Sequence, residues 1–292
     1  MNSVIKYFGG KNGMFNNIIK EFPDKGSYDT YIEPFGGSFA IGFHTPDDMI
    51  APIEIYNDLY NNVYSLFKVL TNDTLFYEFK KLCDLSYYSE VLRKQFKEEL
   101  KNDNLSDVKR AFYFFYVNRC SHNGVGGFSV NRVIRRNMAK SVSDYLSTVD
   151  GLLKIHQRLS KVMVLNRNAI SLIEEYNSPN VFIYADPPYV LSTRNSSARY
   201  PVDMTDADQE KFIDVCINSK SKLLISGYDN ELYNKLTDNG FEQIMFNVNT
   251  ITGKHEPKTK TEVLWKNYWR SSFDENYIIT DSDNLLKWLK GK

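Results

Sequence analysis

Val181-Phe182-Ile183-Tyr184-Ala185 is an uninterrupted apolar run that stops at Asp186-Pro187-Pro188-Tyr189, and no other segment restricts the fold as tightly. A short, β-branched and aromatic run of this kind predicts a strand buried on both faces, the type found in parallel sheets covered by helices. Two consecutive prolines lock φ and remove two backbone donors, so the strand ends there. Neighbouring segments agree. From about Val162 the chain alternates: strand 162–165, helix 169–176, strand 181–185, helix 206–218, strand 222–226, helix 231–238, and strands near 242–247 and 261–265. This pattern predicts an α/β fold with a mainly parallel sheet covered on both faces. The last two strands are close enough for a hairpin, which allows an antiparallel edge.

In open α/β sheets, ligands bind beyond the carboxyl ends of the strands, so residues 186–189 are expected at a site. The strip offers a carboxylate, carbonyl oxygens that still accept, and an aromatic ring. An exocyclic aromatic amine needs this set. Its lone pair is delocalised into the ring, and two acceptors on its two hydrogens favour a pyramidal, nucleophilic nitrogen. The same acceptors stabilise the positive charge that develops as nitrogen attacks a methyl sulfonium. Catalysis is therefore expected from Asp186, Pro187, Pro188 and Tyr189, with Tyr189 stacking on a flipped base. The plain structural alternative is a Pro-Pro turn closing a strand, with Asp186 as a cap.

Two glycine pairs earlier in the chain mark close approach of backbone to a ligand. Tyr31-Ile32-Glu33-Pro34-Phe35-Gly36-Gly37-Ser38 reads as a strand end running into a turn and a helix over 39–43. About eighteen residues beyond Gly37 lies Glu54-Ile55-Tyr56-Asn57-Asp58. An acid at the end of a second strand is placed to bind ribose hydroxyls, as in dinucleotide folds. For Asp58 the alternative is the cap of a helix starting at Leu59. In Lys6-Tyr7-Phe8-Gly9-Gly10-Lys11, Lys11 can meet a carboxylate and Tyr7 can stack on a ring, against the alternative of a surface turn.

The formal net charge is zero, which by itself argues against strong nucleic-acid binding, but the charge is unevenly spread. Between Val108 and Ser143 there is no Asp or Glu, and there are seven basic residues: Lys109, Arg110, Arg119, Arg132, Arg135, Arg136 and Lys140. A local basic field neutralises phosphates whatever the total charge; a solvated helix face is the alternative. This stretch lies in a mostly helical middle region, with helices expected over 75–82, 88–100, 111–117 and 150–162 and a glycine loop at 124–127. The chain thus divides into a discontinuous α/β domain, 1–67 and 160–292, and an inserted helical domain, 68–159. The three cysteines and four histidines are scattered without disulfide or metal-ligand spacing. No apolar run approaches the roughly 20 residues of a membrane span, and the first residues lack a signal-peptide pattern. A cytoplasmic chain with neither metal nor membrane partner is expected.

Together, Lys6 to Lys11, Glu33 to Gly37, Asn57-Asp58, Asn118-Arg119 with Asn123-Gly124, Asp186 to Tyr189, Ser226-Gly227-Tyr228, and Glu262-Val263-Leu264-Trp265 with Asn267-Tyr268 resemble the Dam-like (D12 class) family of DNA adenine methyltransferases. They occur in the family order and over nearly the whole chain. The resemblance implies a Rossmann-like, S-adenosylmethionine-dependent methyltransferase sheet of seven strands with an inserted, mostly helical recognition domain. It implies cofactor contacts from Tyr7, Lys11, Asp58 and Asp186, with Phe35, Gly36 and Gly37 lining the pocket. DNA contacts are expected from Lys6, Arg119, Asn123, Arg132, Arg135 and Arg136.

Three positions depart from the family pattern. The relative that methylates GATC has an Arg in the loop after Asn-Gly. Here Asn123-Gly124-Val125-Gly126-Gly127-Phe128 has none, which speaks against a guanine contact of the usual bidentate kind and against a GATC target. Asn168 stands where many relatives have Asp, at a place able to contact the cofactor adenine. Tyr7 stands where Trp is frequent, which keeps a stacking surface. The expected activity is site-specific transfer of a methyl group from S-adenosylmethionine to N6 of a flipped adenine in double-stranded DNA, by a monomer or by a dimer on DNA. A cytosine-N4 enzyme, an RNA adenine enzyme and a catalytically silent DNA-binding regulator are the alternatives.

Overall fold

The computed structural model describes residues 3–7, 10–11, 13–190, 202–250 and 258–269. Phe8, Gly9 and the tail from Arg270 lie outside the described residues. In chain order the elements begin with α1 (Phe15–Lys20), β1 (Thr30–Glu33), α2 (Ala40–His44) and β2 (Ile53–Asn57). A helical stretch follows: α3 (Asn61–Thr71), α4 (Asp73–Asp84), α5 (Glu90–Glu99) and α6 (Asp107–Cys120). A small hairpin, β3 (Ile134–Arg135) with β4 (Met138–Ala139), precedes α7 (Lys140–Leu159). The chain then alternates through β5 (Val162–Leu165), α8 (Ala169–Glu175), β6 (Val181–Ala185), α9 (Asp206–Ile217), β7 (Lys222–Gly227) and α10 (Asn234–Asp238), and closes with β8 (Glu242–Thr250) and β9 (Lys258–Lys266). Among the described residues no helix is long and apolar enough to cross a membrane.

Seven strands form one sheet in the order β5-β2-β1-β6-β7-β9-β8. The first five are parallel, and β9 runs antiparallel to both β7 and β8. The expected antiparallel edge is therefore present, and its hairpin strands are longer than their apolar cores, because ladder pairing continues into the polar residues. Alternation along the strands separates two kinds of core. Tyr31, Tyr56, Phe182, Tyr184, Leu224 and Leu264 join an aromatic-rich cluster with residues from α1 to α4, α6 and α7. Ile32, Ile55, Ile183, Ile225, Val263 and Trp265 join a largely aliphatic one with α8, α9 and α10. Both faces of the central strands are covered, as the unbroken burial of β6 requires.

The helical region does not own a separate core. Phe67 of α3 stacks on Tyr56 of β2 with ring centroids 4.0 Å apart, and α3 continues to Thr71, so a division at residue 67 cuts a continuous helix. A second difference is α7. Its serines, Thr148 and Gly151 have weak helix propensity, and the sequence pattern suggested a start near residue 150. The helix begins at Lys140 because Tyr145 and Val149 extend the buried stripe of Leu152, Ile155 and Leu159 one and two turns earlier; Tyr145 sits edge-on to Tyr116 at 5.6 Å. Residues 231–233 form a 3-10 turn ahead of α10, where a single helix was expected over 231–238.

Candidate active site

From β1 the chain builds outward to β2 and β5, then crosses back to β6 and builds the other way. The sheet therefore has its switch point between β1 and β6, and a crevice opens beyond their carboxyl ends, where ligands of such sheets bind. A cleft partly open to solvent lies there. Tyr7, Lys11, Phe35, Gly36, Gly37, Asp58, Asn168, Asp186 and Pro188 all line it. The structure thus gathers every residue expected at the cofactor, although they come from five separate segments.

Asn57, 0% exposed, organises one wall. Its amide donates to the Pro34 carbonyl (2.8 Å) and the Arg167 carbonyl (2.9 Å), and its oxygen accepts from Arg167 N–H (2.8 Å). The exits of β1, β2 and β5 are tied together by this one side chain. In the glycine turn, a Cβ on Gly36 would lie 2.2 Å from the Tyr56 ring, and Gly37 has φ +49°, which favours glycine. Asp58 accepts from Gly37 N–H (2.9 Å) with one oxygen and Tyr60 N–H (2.8 Å) with the other. Burial nonetheless lifts its pKa to about 6. The helix starts at Asn61 with Tyr60 as its N-cap, so Asp58 braces the approach to α3 and does not cap it directly. Each carboxylate oxygen has a second lone pair for a hydroxyl donor. Asn168 is the N-cap of α8: its oxygen accepts from Ile170 N–H (2.9 Å) and Ser171 N–H (3.2 Å), which leaves its amide hydrogens as the donors. Phe35 stands edge-on to Phe212 at 5.7 Å.

Glu33, at the end of β1, is a buried acid the sequence pattern assigned no chemistry. It accepts from Tyr31 Oη (2.8 Å) and Gly42 N–H (2.8 Å), and burial raises its pKa to about 8 despite these donors.

Asp186 leaves β6 into the cleft with one oxygen fixed twice. Oδ1 accepts from Lys11 Nζ (2.8 Å) and from Ser226 Oγ (2.8 Å), and Tyr184 Oη in turn donates to Ser226 Oγ (3.1 Å). Lys11 is 3% exposed and also donates to Tyr189 Oη. Burial pulls its pKa down, but the carboxylates of Asp186 and Glu262 more than offset this, so the ammonium is held charged. Tyr189 donates to Glu262 Oε2 (2.9 Å), and its ring meets Tyr228 edge-on at 4.5 Å. Pro187 is buried. The Pro188 carbonyl accepts from Gln209 Nε2 of α9 (2.6 Å). Ser226, Tyr228 and Glu262 lie in motifs noted in the sequence, but their link to the strip depends on β7 and β9 lying beside β6. Gln209 carries no local sign at all.

The residues expected on DNA divide into three groups. Lys6 is turned inward: its Nζ donates to the Arg119 and Ser121 carbonyls (2.9 and 3.0 Å) at the end of α6. Asn118 grips the Lys6 backbone, accepting from its N–H (2.8 Å) and donating to its carbonyl (2.8 Å). Arg119 is largely covered beside Asp144. Exposed residues remain: Asn123, with φ +50°, Arg132, and the hairpin bearing Arg135 and Arg136. Arg136 and Asn137 both have positive φ, the geometry of a two-residue hairpin turn. The acid-free stretch is not free of acid in space. Asp144, just beyond it, accepts from Arg135 (2.8 Å) and Lys140 (2.5 Å), while Arg110 is buried against Asn62 and the carbonyls of Asn102 and Asp103.

A sheet of this order, with a carboxylate, two prolines and a tyrosine at the end of its fourth strand and a glycine turn at the end of its first, defines the Rossmann-like methyltransferase class. Within it, the chain belongs to the D12 class of N6 adenine-specific DNA methyltransferases, whose family model matches residues 7–253. Similar proteins include the type II methyltransferase M.MjaIII of Methanocaldococcus jannaschii, 26% identical over 86% of this chain and 90% of the relative. The DNA adenine methylase of Serratia marcescens is 26% identical over 79% of this chain and 84% of its own. That of Escherichia coli is 22% identical over 79% and 82%. The chain is accordingly an adenine-specific DNA methyltransferase, and S-adenosylmethionine is the methyl donor its family implies.

Proposed function

We propose that the chain methylates an adenine turned out of duplex DNA at one short sequence, in the cleft beyond β1 and β6. The observation that carries this reading is the doubly anchored Asp186 carboxylate at the mouth of the strand. An adenine amine beside it donates one hydrogen to Asp186 and the other to the Pro187 carbonyl. Both acceptors favour a pyramidal nitrogen and stabilise its developing positive charge. Tyr189, tied through its hydroxyl to Lys11 and Glu262, is the aromatic partner of the base. Lys11, held as an ammonium, has no lone pair to take a proton, so its part is to orient Asp186 and Tyr189.

When bound, S-adenosylmethionine supplies a methyl group on a positively charged sulfur. The residues present suit it. Asp58 offers two acceptors to a ribose, Asn168 offers donors to an adenine ring, and Tyr7, Phe35, Gly36 and Gly37 surround the remainder. Much of the acceleration comes from positioning. On the DNA side, Arg132, Arg135, Arg136 and Asn123 face the backbone, with Lys6 and Arg119 supporting them from behind. The loop 123–128 has no side chain for the bidentate guanine contact, which speaks against a GATC target.

Single-molecule sequencing of DNA from cells expressing the protein tests this reading. Methylated adenine at one recurrent sequence is expected, and Asp186→Ala lowers transfer by at least about hundredfold. Full activity in that variant, or methyl groups confined to cytosine or to RNA, would refute it.

A further inference from the structure

We propose that Gln209 is a positioning residue for methyl transfer, holding the Pro187-Pro188 peptide so that the Pro187 carbonyl faces the target amine. This rests on the reading that Asp186 and that carbonyl grip the amine. Gln209 lies on α9, 1% exposed. Its Nε2 donates to the Pro188 carbonyl at 2.6 Å, and its Oε1 accepts from Tyr233 Oη at 2.8 Å. The second bond fixes the sense of the first. The Pro188 oxygen can only accept, so the amide nitrogen must face it, and a hydroxyl that donates to the amide oxygen keeps it there. Tyr233 is itself held, 3% exposed, with its ring 5.0 Å from Trp265 of β9.

The strip has few ways to move. Proline rings lock φ at both 187 and 188, so the soft torsions are the two ψ angles. Upstream, Asp186 is anchored by Lys11, Ser226 and the sheet. Downstream, ψ of Pro188 is set by the bond to Gln209. With both ends clamped, the Pro187 carbonyl between them is pinned. The same bond engages one lone pair of the Pro188 oxygen, so Gln209 draws on that oxygen and not on the Pro187 carbonyl. Among the described residues, no bond from Gln209 reaches Lys11, Asp58 or Asp186, so its loss is expected to spare cofactor and DNA affinity.

The test is the single-turnover rate of methyl transfer, with dissociation constants for S-adenosylmethionine and duplex DNA measured separately. Gln209→Met keeps the volume and removes the donor. Tyr233→Phe removes one hydroxyl and frees the amide to turn. Gln209→Met is expected to lower the rate about 10- to 100-fold, with both dissociation constants within about twofold of wild type. Tyr233→Phe gives a smaller loss, and the double variant is no slower than Gln209→Met alone, because both act through one bond. An unchanged rate in Gln209→Met, beside an active wild type and an inactive Asp186→Ala, overturns the role of Gln209 and leaves the adenine-methylation reading standing. A weakening of both affinities with a fall in melting temperature assigns Gln209 to the fold alone and also overturns it. A wild type that methylates no adenine overturns the underlying reading, and this role with it.

Discussion

At the scale of single residues, the site is governed by carboxyl groups held in different ways. Asp186 is anchored by a cation and a hydroxyl on one oxygen. Asp58 has only backbone N–H donors, and burial lifts its pKa from 3.8 to about 6. Its folded value exceeds its unfolded one, so the folded chain keeps a proton that the unfolded chain has lost. Its contribution to stability therefore declines as pH rises from about 4 to about 6. Ribose hydroxyls favour the ionised form, so binding releases that proton. Cofactor affinity is expected to be full above about pH 6 and to weaken by up to tenfold per unit below it, whereas Asp58→Asn binds weakly with no such dependence. Calorimetric titration with S-adenosylmethionine across that range checks this; a wild-type affinity flat through it would remove Asp58 from the ribose.

At the scale of elements, the segment bearing Tyr7 and Lys11 is positioned by α6. Asn118 pairs with both backbone groups of Lys6, and a Cβ on Gly124 would lie 2.3 Å from the Lys6 carbonyl at a φ of +82°. Gly124→Ala is therefore expected to cost about 1–3 kcal/mol and to weaken cofactor binding, because the displaced segment carries Lys11. Gly127, where a Cβ would meet nothing within 4 Å, is the control: Gly127→Ala leaves melting temperature and cofactor affinity near wild type. Equal effects of the two substitutions would contradict this coupling. The turn at 124–127 was legible as a glycine turn, but its role as the seat of the N-terminal segment was not. The contact joins residues far apart in the chain and has no local periodicity.

At the scale of the whole molecule, the helical region and the sheet share one aromatic core, so the face proposed for DNA is joined to the cleft through packed side chains. Charge was the weakest guide. Seven basic residues in an acid-free stretch suggested a local basic field, yet Arg110 is buried and Asp144 folds back between Arg135 and Lys140. The exposed hairpin remains. Replacing Arg135 and Arg136 by Gln is expected to weaken duplex binding and make its salt dependence shallower by about one unit per lost phosphate contact. Cofactor affinity and melting temperature stay unchanged. An unaltered salt slope would place the DNA elsewhere.

The sequence alone determined where β1 and β6 end and which residues stand at those ends. An apolar run followed by Asp186-Pro187-Pro188, or a glycine pair after Glu33, acts through local sterics and periodicity, which need no knowledge of neighbours. Only the tertiary structure decided what surrounds those ends. Sheet order brings Ser226 of β7 and Glu262 of β9 to the strip from β6, helix packing brings Gln209 to Pro188, and burial turns Lys6 and Arg110 inward. Each of these depends on pairing between distant segments, where the stabilising interaction exists only once the sheet has closed.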